Sequence, residues 1–72
     1  MYIVVNKRKT PLNCITSNEC EEKKVLEFSN KCYATFPLPH LAWLWLGYAH
    51  GIMHEKGFDE EYRRQNMTVA KI

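Results

Sequence analysis

Apolar residues are grouped along the chain into short stretches that alternate with charged or polar ones. The stretch "YIVV" (2–5) is β-branched and aromatic, and the side chains of "LNCIT" (12–16) alternate between two sides of an extended chain. The charged "KRKTP" (7–11) between them is typical of a turn, and Pro11 fits a strand start or edge, where its missing N–H costs no ladder bond. The pattern predicts a β-hairpin over residues 2–16.

The next segment, residues 17–36, leaves two structures open. Asn18 followed by Glu21 fits a helix N-cap with its capping-box partner, which predicts a helical turn from Glu19 to Lys23 and then a strand over 25–28. Alternatively, "KVLEF" and "KCYATF" form two strands joined through "SN". We favour the first of these predictions.

A long helix is predicted from Pro39 to just before Gly57. Leu38 precedes a proline and is disfavoured in helical conformation, whereas Pro39 suits the first helical position. Gly57 is typical of the residue that follows a helix, and Lys56 complements the helix dipole. The helix should contain about 18 residues and extend roughly 27 Å.

The C-terminal part is predicted to form a second, short helix followed by a loose end. In "FDEEYRRQN" (58–66), Asp59 is a plausible N-cap, acidic residues occupy the first turn and arginines follow, which is the charge order that a helix favours. The last residues, "MTVAKI" (67–72), are expected to fray.

On a helical wheel, the long helix has two apolar stripes and a third, mixed face. Such a helix is expected at the centre of a fold, covered by a sheet on one side and by something else on another, such as a partner protein or a second copy in a homodimer. The predicted fold is therefore α+β: one domain over 1–72 with a small antiparallel sheet on a central helix and a short C-terminal helix. The larger stripe holds Leu41, Leu44, Trp45, Tyr48 and Ile52, the smaller one holds Ala42, Leu46, Ala49 and Met53, and the third face holds Trp43, Gly47, His50 and His54.

Composition is typical of a globular protein, since 46% of the residues are hydrophobic and 25% are charged. The run from Phe36 to Met53 has the length of a minimal membrane span, but the prolines, glycines and histidines within it argue against one, as does the mean hydropathy of −0.42 for the whole chain. The N-terminus places apolar residues before charged ones, which is the reverse of a secretory signal. With three cysteines, which cannot all pair within one chain, this predicts a cytoplasmic protein with free thiols.

Metal binding and catalysis find little support in the sequence. His50 and His54 have the i,i+4 spacing of a metal-binding pair, but two ligands are too few for stable zinc. Cys14, Cys20 and Cys32 with His40 make a structural zinc domain an alternative, although their spacing matches no common zinc finger. Neither a nucleophile signature nor a glycine-rich phosphate loop is found, so neither an enzyme nor a cofactor is predicted.

Protein binding is the favoured functional hypothesis. Trp43, Gly47, His50 and His54 would form a face that binds a partner, because exposed Trp is enriched at interface hot spots. Small chains without motifs are typical of inhibitors and accessory factors from phages or mobile elements, which occlude or adapt another protein. The alternative is that Trp43 folds under the C-terminal segment and that the histidines are ordinary surface residues.

Nucleic-acid binding is the competing hypothesis. The residues that would bind nucleic acid are the cluster Lys7, Arg8 and Lys9 together with Arg63 and Arg64. A net charge of only +2, and acidic residues at 59–61 that would pair with the arginines, argue against it.

Overall fold

A computed structural model describes residues 1–15 and 26–72 of the 72-residue chain. It confirms the predicted α+β architecture: the described residues form two antiparallel two-stranded sheets, one long helix and one short one. The predicted helical turn at 19–23, and Cys20 with it, lie outside the described residues. The elements are β1 (Tyr2–Val5), β2 (Leu12–Ile15), β3 (Leu26–Phe28), α1 (Pro39–Glu55), α2 (Asp59–Gln65) and β4 (Thr68–Lys71).

The strands pair differently from the predicted hairpin. β1 pairs with β4, with Val4 opposite Val69, whereas β2 pairs with β3. Although Val4 of β1 and Leu12 of β2 share the core, the backbone pairing described between these two segments is an isolated bridge between Val5 and Pro11. The other edge of β1 carries a bridge to Phe36, whose N–H and carbonyl both bond Tyr2 at 2.8 Å. β1 thus has β4 along one edge and isolated bridges on the other, and β2 pairs with β3 in a separate two-stranded sheet.

The C-terminal residues do not fray, contrary to the prediction. Thr68–Lys71 forms a strand whose whole length is in register with β1, and the Ile72 N–H donates to the carbonyl of Met1 at 2.9 Å. Val69 and Ala70 are half-buried against the rest of the fold. The partner of this strand is at the other end of the chain, and for that reason local sequence does not reveal it.

Helix α1 has the bounds that its flanking residues predict. It begins at Pro39, and Gly57, with φ +78°, follows its last turn and donates its N–H to the carbonyl of His54 at 3.1 Å. The helix packs against β1, β4 and α2. Among the described residues, none of the helices reaches the combination of length and apolarity needed to cross a membrane.

The smaller apolar stripe of α1 faces the core, together with Ile52 of the larger stripe. Leu44 and Tyr48 of the larger stripe are 68% and 57% exposed, so the described residues of this chain leave part of that stripe uncovered. Alanines at 42 and 49 allow the helix to lie close to the sheet, where the side chains of Val4 and Leu12 fill the remaining space. The buried residues of α1 are Ala42, Leu46, Ala49, Ile52 and Met53.

Helix α2 is present as predicted, but its N-terminus differs from the prediction. Phe58 occupies the N-cap position, and no side chain caps the helix. Asp59 is not the cap because its carboxylate accepts a hydrogen bond from His54 on α1. The helix ends at Asn66 in left-handed conformation (φ +46°), which Asn tolerates better than most residues.

Candidate binding surfaces

The outward side of α1 carries large apolar side chains in contact with solvent. Trp43 is 52% exposed, and Leu44 and Tyr48 are exposed to a greater extent. Gly47 lies between them, and a Cβ added at this position would meet open space. We refer to Trp43, Leu44, Gly47 and Tyr48 as the aromatic face.

The aromatic face belongs to a helix surface with very little charge. Solvent-facing positions of a helix normally carry charged residues, but Glu55 is the one Asp, Glu, Lys or Arg among the exposed residues of α1. This composition resembles the centre of an interface, where charged residues are depleted and aromatic ones enriched. The exposed residues of α1 are Pro39, His40, Trp43, Leu44, Gly47, Tyr48, His50, Gly51, His54 and Glu55.

The two tryptophans of α1 have different environments. Trp45 is half-buried and packs against Phe36 with ring centroids 5.4 Å apart. Trp43 lies on the outward side with half of its surface accessible, so it is not buried under the C-terminal segment as the alternative prediction supposed.

The predicted partner-binding histidines contact α2. The His50 ring stacks on Tyr62 with centroids 4.5 Å apart and an interplanar angle of 20°. His54 Nδ1 donates to Asp59 Oδ1 at 3.0 Å. Both histidines remain exposed, but their rings join the two helices. Of the four predicted residues, Trp43 and Gly47 are thus exposed on the outward side of α1, whereas the exposed rings of His50 and His54 contact α2.

The contact between His54 and Asp59 changes the acidity of both groups. The hydrogen bond that His54 donates to Asp59, and then the negative charge of Asp59, raise the pKa of His54 above the ordinary 6.5. The same hydrogen bond lowers the pKa of Asp59 below the ordinary 3.8. Both shifts favour the charged forms, so protonation of His54 strengthens the link between α1 and α2.

The sequence prediction missed Leu44 and Tyr48 as surface residues. The wheel placed them in an apolar stripe, and periodicity indicates which residues share a face but not whether that face is covered. The available signal was a stripe that contains Trp45 and Tyr48 beside a stripe that contains two alanines.

A second surface lies where the turn after β1 meets the end of α2. The Lys7 N–H donates to the carbonyl of Gln65 at 2.8 Å, and Asn6 Nδ2 lies 3.5 Å from Gln65 Oε1. A groove of about 360 Å³ opens at this junction, and we call it the basic groove. It is lined by Asn6, Lys7, Arg8, Phe28, Glu61, Arg64 and Gln65.

The basic groove brings together part of the predicted nucleic-acid-binding set. Lys7, Arg8 and Arg64 line it, whereas Lys9 and Arg63 do not. Arg64 also pairs with Glu61 at 3.1 Å, which is the kind of internal pairing that the acidic residues at 59–61 predicted.

The described residues of the alternative zinc site do not form a cluster that could bind a metal ion. Cys14 is half-buried and its thiol donates to Glu27 Oε2 at 3.4 Å, whereas Cys32 and His40 are exposed. Over residues 1–15 and 26–72, no group of three or more His, Cys, Asp or Glu side chains is placed to hold a metal ion. Cys20, the remaining candidate, lies outside these residues.

Comparison of the chain with protein-family models, curated proteins and solved structures finds no significant match. Function is therefore inferred from the chemistry of the chain's own surfaces.

Proposed function

We propose that this protein is a non-enzymatic protein-binding module and that the aromatic face of α1 contacts the partner. The observation that carries this proposal is the exposure of Trp43, Leu44 and Tyr48, each more than half accessible, on a helix surface with a single formal charge. A contiguous exposed apolar surface of this kind is costly for an isolated protein and marks interaction sites.

The chemistry of the aromatic face suits the centre of an interface. Trp43 and Tyr48 offer rigid rings with a large contact area, and each keeps one polar group that a partner acceptor can bind. Gly47 between them has no side chain, so the partner can approach the helix backbone closely. The matching surface on the partner would be apolar at its centre, with acceptors at its edge for the indole N–H and the phenol hydroxyl.

The contacts between α1 and α2 support this role indirectly. The stacked His50 and Tyr62 rings and the bond from His54 to Asp59 fix α2 beside α1. A helix held in this way loses little further freedom on binding, which favours affinity. In this proposal the protein acts in the cytoplasm and occludes or adapts its partner, as an inhibitor or accessory factor does.

Site-specific photo-crosslinking tests the proposal. Leu44 is replaced by p-benzoylphenylalanine in cells that express the protein, and covalent adducts are identified by mass spectrometry. An adduct with one defined protein is expected, and adding Trp43→Ala should reduce it at least about thirtyfold, the effect of a 2 kcal/mol hot spot. The free energy of unfolding of Trp43→Ala should stay within about 1 kcal/mol of the unsubstituted protein.

The control places the same photoreactive residue at position 63, an exposed position on α2. Equal adducts from positions 44 and 63 would contradict a specific face, and a large loss of stability in Trp43→Ala would place that side chain in the core. An adduct with twice the mass of the chain would assign the face to self-association in a homodimer instead of to another protein.

A further inference from the structure

We propose that the basic groove is a binding site for a phosphate monoester carried on a small organic group. The groove contains none of the residues of the aromatic face, so this site is independent of the proposed protein-binding function. It joins three separate segments of the chain: the turn after β1, the end of β3 and helix α2.

The charge of the groove matches a phosphate monoester. Lys7, Arg8 and Arg64 contribute three positive charges and Glu61 one negative charge, which leaves two positive charges. A phosphate monoester carries about −1.5 to −2 at neutral pH, whereas a carboxylate or a phosphodiester carries about −1. The monoester is therefore the common biological anion that neutralises the groove.

The hydrogen-bonding groups of the groove are biased towards donors. Its side-chain acceptors already have internal donors: Asn6 Oδ1 accepts the N–H groups of Arg8 and Thr10, each at 3.0 Å. Glu61 accepts from Gln65 Nε2 at 2.9 Å and pairs with Arg64 at 3.1 Å.

The donors, in contrast, are largely uncommitted within the described residues. No ion pair of Lys7 or Arg8 is found there, and an ammonium group has three N–H donors while a guanidinium has five. A ligand with three acceptor oxygens around one centre, and no donor requirement, fits such a lining.

The cations are presented by a backbone that is already fixed. The Lys9 N–H donates to the carbonyl of Asn6 at 3.0 Å, Lys9 adopts the left-handed conformation, and the Lys7 N–H is bound to Gln65. This arrangement holds the turn against α2, so Lys7 and Arg8 line the groove together with Arg64. Binding then orders side chains only, which lowers its entropic cost.

The size of the groove and the presence of Phe28 define the rest of the ligand. A volume of about 360 Å³ is near the lower end for small-molecule sites. It accommodates one phosphorylated small molecule or one terminal nucleotide. The half-buried ring of Phe28 provides an apolar surface for a sugar or a base. The phosphate can thus come from a free nucleotide or from the 5′-phosphate of a single strand, and both present the same group.

Titration of the intact protein with adenosine monophosphate, followed by amide chemical shifts at low salt, tests the site. Saturable shifts are expected in the turn and at the end of α2. Lys7→Ala and Arg64→Ala should each weaken binding about tenfold, since each removes charged hydrogen bonds. Glu61→Gln should strengthen binding, because it removes the one negative charge and releases Arg64.

Lys9→Ala and Arg63→Ala are the matched controls. Each removes the same charge from a neighbouring position that does not line the groove, and each should change affinity less than twofold. Equal losses in the controls and in the groove variants would overturn the site in favour of diffuse attraction. Absence of saturable shifts at millimolar nucleotide would overturn the proposal outright.

Three further ligands separate the sources of the phosphate. Inorganic phosphate should bind more weakly than adenosine monophosphate if Phe28 contributes, and Phe28→Leu should remove the difference. If a 5′-phosphorylated oligonucleotide binds more tightly than the mononucleotide, the ligand is the end of a nucleic-acid strand. If it binds equally or more weakly, the ligand is a free nucleotide. Equal binding of the phosphorylated and unphosphorylated oligonucleotides would contradict recognition of a monoester.

Discussion

Leu44 and Leu46 lie two residues apart on α1 but in opposite environments. Leu46 is 5% exposed and packs with Val4 and Leu12, whereas Leu44 is largely exposed. Two positions in a helix differ by about 200° of rotation, so identical side chains face the core and the solvent. This pair makes the orientation of α1 directly measurable.

Alanine substitution of the two leucines should have very different costs. Leu46→Ala should lower the free energy of unfolding by about 2–5 kcal/mol, because it leaves a cavity in the core. Leu44→Ala should change it by no more than about 0.5 kcal/mol. Urea denaturation of both variants measures the difference. Comparable losses would show that the outward side of α1 is covered in solution.

At the scale of elements, the link between α1 and α2 depends on pH. The pKa of His54 is raised in the folded protein, so its contribution to stability is complete below 6.5 and disappears as pH rises through the raised value. The pKa of Asp59 is lowered, so its contribution is complete above 3.8 and disappears as pH falls through the lowered value. The pair therefore stabilises the contact between the helices most between pH 3.8 and pH 6.5, the ordinary pKa values of the two groups.

Asp59→Asn should lower the pKa of His54 towards its ordinary value, because the hydrogen-bonded carboxylate is the main cause of the shift. The loss of stability in this variant should be larger at about pH 5.5 than at about pH 8.5. Titration of the His54 ring by NMR, with thermal unfolding at both pH values, measures these effects. Glu60→Gln is the control for removal of one acidic charge from the same helix turn, and an equal change there would mean that the direct bond is unimportant.

The helices could be predicted from sequence to a greater extent than the sheets. The bounds of α1 depend on Pro39 and Gly57, whose conformational preferences act locally. The pairing of β1 with β4 depends on residues at opposite ends of the chain, such as Val4 and Val69, and no local signal connects them. "TVAK" is also too short and mixed to indicate a strand without its partner.

The candidate sites were likewise predictable from sequence only where the signal is local. Trp43 could be proposed as a surface residue because the wheel separates it from both apolar stripes. The basic groove could not be assembled, because Lys7, Phe28 and Glu61 come from segments that only the fold brings together. Three of the five predicted basic residues, Lys7, Arg8 and Arg64, line the groove, and no sequence signal separates them from Lys9 and Arg63.

At the scale of the whole molecule, the fold depends on the pairing of β4 with the buried strand β1. Ile3, Val4 and Val5 of β1 are all buried, and β4 covers one edge of this strand along its full length. The free energy of unfolding of a 72-residue chain is roughly 4–11 kcal/mol, so loss of a strand partner removes a large part of it.

Removal of residues 68–72 should abolish cooperative unfolding, because it leaves the buried strand β1 with unpaired backbone groups. Thermal denaturation followed by near-ultraviolet circular dichroism measures the effect. Removal of Ile72 alone is the control and should cost about 1 kcal/mol, since it deletes one backbone hydrogen bond. A cooperative transition in the longer deletion would show that β4 is dispensable.

The pairing of Tyr2 with Lys71 also means that β1 is synthesised well before its partner strand and pairs late in folding. The apolar segment Tyr2–Val5 is synthesised early, yet its main partner emerges roughly 65 residues later. Contacts of such long sequence separation form slowly, because the intervening chain must first close a large loop. Until then the nascent chain presents an unpaired β-branched strand, which is the kind of segment that chaperones protect from aggregation.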